Sequence, residues 1–72
     1  MTEAEIKYII ARVLDNAKDC VEEAKEHPKS EFFDGKKLAY YEVLDTIKNE
    51  LIVHDDDIKE FGLDINLEKA LA

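Results

Sequence analysis

The stretch Lys36–Val53, KKLAYYEVLDTIKNELIV, constrains the fold more than any other part of the chain. Apolar side chains at Tyr40, Val43, Leu44, Ile47 and Leu51 recur at spacings of three and four, which places them on one face of a helix. Glu42, Asp45, Lys48, Asn49 and Glu50 keep the opposite face wet, and no Gly or Pro interrupts the run. A helix with one apolar face needs a partner to cover it. The remaining residues must supply that partner.

They have little material to do it with. The 72 residues make one small domain, residues 1–72. A chain of this size buries only roughly 60% of the surface its unfolded form exposes. Its single cysteine, Cys20, excludes an intramolecular disulfide. Cover has to come from helix packing.

Upstream, Thr2 and Glu5 have the spacing of a capping box, and Glu3 and Glu5 favour the positive end of a helix dipole. Ile6, Ile10, Val13, Ala17, Cys20 and Ala24 then form a stripe, widened by Ile9, Leu14 and Val21. The pattern predicts a helix over about residues 3–26, ending near His27 because Pro28 disfavours helical geometry before it. The stripe is bulky in its first half and small in its second. The downstream helix is the reverse, with Phe33 and Tyr40 early and Leu44, Ile47 and Leu51 late. Folded antiparallel, Ala17 and Ala24 face the aromatics, and Ile6 and Ile10 face Ile47 and Leu51, the complementarity that close packing requires.

The second helix has two possible starts. Ser30 as N-cap begins it at 31, and Asp34 begins it at 35. Gly35 reads either as part of that cap or as a place where two backbones approach closely. Beyond Val53, Asp55 or Asp56 can cap a short helix that stops at Gly62, and Asp64 or Asn66 can begin a last turn carrying Leu67 and Leu71. Ile58, Phe61, Leu63, Ile65, Leu67 and Leu71 are too many apolar side chains to leave in water. Leu38, Tyr41 and Ile52 offer them a place on the flank of the second helix. The predicted fold is all-α: an antiparallel helical hairpin (about 3–26 and 31/35–53) capped by a short C-terminal helical segment (about 56–71).

Several features of this sequence resemble a set of small bacterial and phage-borne helical proteins. The matching residues are Gly35, Ala39, Tyr40, Tyr41, Glu42, Val43 and Leu44, then Phe61, Gly62, Leu63 and Asp64, and finally Glu68, Lys69 and Leu71. They span about half the chain, which lacks the Pro that precedes Glu68 in the pattern. The resemblance implies a helical fold and no activity.

A net charge of −8 opposes binding to free nucleic acid or to an anionic membrane, since both demand a basic face. The imbalance lies downstream: residues 1–37 carry nine acids and seven bases, residues 38–72 nine and three. No apolar run approaches the ~20 residues of a membrane span, and the acidic, amphipathic start is unlike a signal peptide. The expected location is cytoplasmic.

The chemistry expected of these residues is sparse. His54, Asp55, Asp56 and Asp57 cluster, but counting from Asp55 a calcium loop would need Gly at Glu60 and Glu at Asn66. A helix cap explains the run instead. Cys20, His27 and His54 lack zinc spacing, and Cys20 sits on the apolar stripe, where an inert thiol is usual. No catalytic, metal or cofactor site is expected. Candidate interface residues are Tyr8 and Arg12, one turn apart and off the main stripe, together with Ile9, Tyr41 and Val43 on its margins. The function this suggests is a non-enzymatic interaction module that docks a helical face on a protein partner or forms a homodimer. The alternative is an acidic mobile-element product that mimics nucleic acid to block a DNA-binding enzyme.

Overall fold

In the computed structural model, which describes residues 1–71, two long antiparallel helices pack together and a short third element follows. Helix α1 spans Glu3–Glu26, α2 spans Glu31–Val53, and α3 is a single turn, Leu67–Ala70. The capping box forms at the start of α1. The Glu5 amide donates to Thr2 Oγ1 at 3.2 Å, and the Thr2 amide donates to Glu5 Oε1 at 3.1 Å. The Thr2 amide, with the Thr2 hydroxyl donating to the same oxygen at 2.9 Å, lowers the Glu5 carboxyl pKa from its ordinary value.

The hairpin turn follows from its residue types. The Ser30 amide donates to the His27 carbonyl at 3.0 Å, which closes a turn with Pro28 in its second position, where a fixed φ suits it. Ser30 then caps α2, accepting from the Phe33 amide at 3.4 Å. The helix therefore begins at 31. Gly35 lies inside it with nothing within 4 Å of where a Cβ would stand, so it marks neither a cap nor a close approach.

Helix α2 ends in a Schellman arrangement. The Asp56 amide donates to Leu51 O at 2.9 Å and the Asp55 amide to Ile52 O at 3.0 Å, with Asp55 left-handed at φ 58. Asp55 thus stops α2 and does not start a new helix. Asp57 accepts from the Lys59 amide at 3.0 Å, a local bond that competes with helical pairing. A tight turn at 58–61 replaces the expected helix. Gly62 closes it in the same way at φ 74, with Gly62 N–H to Lys59 O at 3.0 Å and Leu63 N–H to Ile58 O at 2.9 Å. Helical structure in the capping segment is confined to Leu67–Ala70, capped by Asn66, which accepts from the Lys69 amide at 3.2 Å.

This capping segment closes one side of its own hairpin. Phe61, Leu63, Leu67 and Leu71 join Ile10, Ala17 and Leu44 in one buried cluster, with Leu14, Val21, Tyr41, Leu51, Ile58 and Ile65 packed around it. Leu44 and Leu63 are both fully buried. The small residues of α1 do what the size argument requires, since Ala17, Cys20 and Ala24 are all buried. Ile10 is buried as well, but Ile6 is exposed. It sits in the first turns of α1, at the end of the buried stripe. Leu38 and Ile52 also stay exposed, so only Tyr41 of the three expected flank positions receives the segment.

These backbone assignments predict opposite effects at the two glycines. Gly35→Ala should raise stability by about 0.5–1 kcal/mol, because it adds helix propensity in open space. Gly62→Ala should lower it by about 1–2 kcal/mol through left-handed strain. Asp55→Gly should raise it by relieving the same conformation. Urea denaturation of the three variants checks the signs.

Candidate functional site

The two sides of the hairpin differ because α2 is covered unevenly. Helical residues advance by about 100°, so Tyr41 and Val43 diverge by roughly 160° around the axis. Tyr41 and Lys48 point to the side the capping segment occupies, and Val43 points away from it. Of the residues singled out by sequence, Ile9 and Val43 are therefore left on the uncovered side, 45% and 51% exposed. Tyr41 is half-buried against the core on the covered side, which separates it from the other two. Tyr8 is 67% exposed and borders the uncovered side, and Arg12 is exposed one turn on.

The surface carries two shallow apolar grooves. One, about 470 Å³, lies between the helices and is lined by Val13, Asn16, Lys36, Ala39, Tyr40 and Val43. The other, about 320 Å³, is formed on α1 by Met1, Ala4, Glu5, Tyr8 and Ile9. Ile9 and Val13 are one turn apart on α1 but line different grooves, which share no residue. Lys36 and Ala39 were not legible as part of a surface. Sequence spacing identifies a stripe but not which margin of it a third element will cover.

On the covered side the polar groups hold the capping segment in place. Lys48 Nζ donates to the Ile65 carbonyl at 2.9 Å, reaching across 17 residues of sequence. Lys7 Nζ lies 3.5 Å from Glu60 Oε2 and 5.5 Å from the centre of the Phe61 ring, so α1 contributes an ion pair and a cation–π contact to the same segment. The Tyr41 hydroxyl is pushed above its usual pKa by desolvation, then by the Asp45 and Glu68 carboxylates. These groups line an open cleft of about 560 Å³ with Asn49, Asp64 and Asn66.

The remaining candidates for chemistry are scattered. Cys20 is buried in α1. His27 stacks on Phe33 at 5.2 Å at the hairpin tip, while His54 caps the far end of α2 beside Glu50 at 3.8 Å. Among the described residues no group of three or more His, Cys, Asp or Glu is placed to hold a metal ion. No described helix is long and apolar enough to cross a membrane. Compared with protein-family models, curated proteins and solved structures, the chain matches none.

The Tyr41 environment has a sign that can be tested. A phenol with a raised folded-state pKa favours folding below its unfolded value, and that contribution is lost as pH rises through the folded value. Absorbance titration should show a late tyrosinate component that disappears in Tyr41→Phe. The variant's stability should also fall less steeply above pH ~10 than the parent's.

Proposed function

We propose that this chain acts by binding and not by catalysis, as a small helical interaction module whose docking surface is the uncovered side of the hairpin. One observation carries the reading. The chain closes one side of its core with its own capping segment and leaves Ile9 and Val43 exposed away from it. Single exposed aliphatics are ordinary on a protein surface, but each of these lines an apolar groove. Helical faces of this kind dock against other helices, with anchors at spacings of three, four and seven. Tyr8 and Arg12, exposed on the same helix as Ile9, belong to the residue types that dominate interface energetics.

The competing reading, an acidic mimic of nucleic acid, draws on the net charge of −8 and makes no use of the apolar grooves. Salt separates the two, because exposed charge pairs are screened within about 10 Å at 0.1 M while apolar contact is not. A photo-crosslinker at position 43 should capture a protein partner equally well at 50 and 500 mM salt, and Ile9→Glu should abolish capture without unfolding the chain. Capture that ignores Ile9→Glu and collapses with salt would overturn the docking-face reading in favour of the mimic.

A further inference from the structure

We infer, granting the docking face proposed above, that its occupant is a second copy of this chain, with α2 lying antiparallel on the partner's α2 and Val43 at the two-fold axis. Lys36, Val43 and Glu50 are spaced seven apart along α2. Seven residues are almost two turns, with a drift of only about 20°, so the three lie along one edge of the helix. Lys36 and Val43 line the same groove on the uncovered side, and Glu50 is exposed two turns further on.

The order base, aliphatic, acid, with the aliphatic at the midpoint, is self-complementary under antiparallel two-fold symmetry. Each Lys36 meets the other copy's Glu50, and each Val43 meets its counterpart. A parallel arrangement would set Lys36 against Lys36 and Glu50 against Glu50, which like-charge repulsion disfavours. Closed two-fold pairs use one surface twice in this way.

Area agrees. Two helices about 36 Å long and about 10 Å wide, side by side, present on the order of 700 Å², close to one partner's share of a standard interface. The capping segment does not obstruct the approach, because it occupies the opposite side of α2, with Tyr41 and Lys48. Ile9 and Val13 of α1 flank the contact, and the pair of hairpins makes a four-helix arrangement.

Sedimentation equilibrium of the full chain over a hundredfold concentration range should resolve an 8.3 kDa monomer in exchange with a species of twice that mass. Val43→Glu should weaken association at least about a hundredfold, since it sets two carboxylates against each other at the axis. Lys36→Glu and Glu50→Lys should each weaken it about tenfold at low salt, and the double variant should restore it. Glu50→Lys puts favourable charge in the last turn of α2, so its lost association cannot be ascribed to a lost helix. A chain that stays at 8.3 kDa throughout overturns the second copy as occupant. If position 43 of that monomer still captures a different protein, the docking face itself stands. A dimer indifferent to Val43→Glu overturns both the arrangement and the face. A dimer weakened by Val43→Glu but not restored by the charge exchange overturns the antiparallel register.

Discussion

The joint burial of Leu44 and Leu63 in one cluster is the packing contact on which the rest of the structure depends. Two helices side by side can shield each other along one line only, and the described residues form no third long helix. Leu63 enters from the capping segment, Leu44 from the centre of α2, and neither retains any exposure to water. A leucine so placed is worth about 2–5 kcal/mol against truncation to alanine, a large fraction of the stability available to a domain this small. The surrounding devices direct the chain to that contact. Asp55 and Gly62 turn the backbone with left-handed residues, and Lys48 and Lys7 fasten the segment from two different helices.

Closing one side fixes the character of the other. Covering residues that extend from Phe61 to Leu71 suffice for one flank of α2 and leave none for the opposite flank. On the proposed reading a partner covers the aliphatics exposed there, and the order of charges along α2 favours a partner with the same sequence.

Much of this was legible in the sequence. Periodicity located both long helices, and the capping box and Pro28 set the ends of α1 within a residue. Size complementarity between the small half of α1 and the aromatic start of α2 indicated an antiparallel pair. The failures share one physical origin. Helical periodicity reports which residues are buried by something, but not by what. Val43 and Tyr41 both lie on or near the apolar stripe of α2, yet one is exposed and the other is covered, and the path of the capping segment distinguishes them. That path rests on Asp55, an acidic residue in a conformation that glycine usually fills, and on a bond from Asp57 to the Lys59 amide. Three consecutive aspartates read equally well as a helix start. Of the interface candidates that sequence supplied, Ile9 and Val43 are exposed, whereas Tyr41 is half-buried under the capping segment.

Amide hydrogen exchange in the native protein tests the account most directly. The Leu63 amide bonds to the Ile58 carbonyl inside the closing segment, while the Leu44 amide lies at the centre of α2. If the segment completes the core, the two should exchange through the same global opening, with free energies within about 1 kcal/mol of each other. Exchange at Leu63 about a hundredfold faster than at Leu44 would contradict this. The hairpin would then stand without its closing segment, and both of its sides would be open.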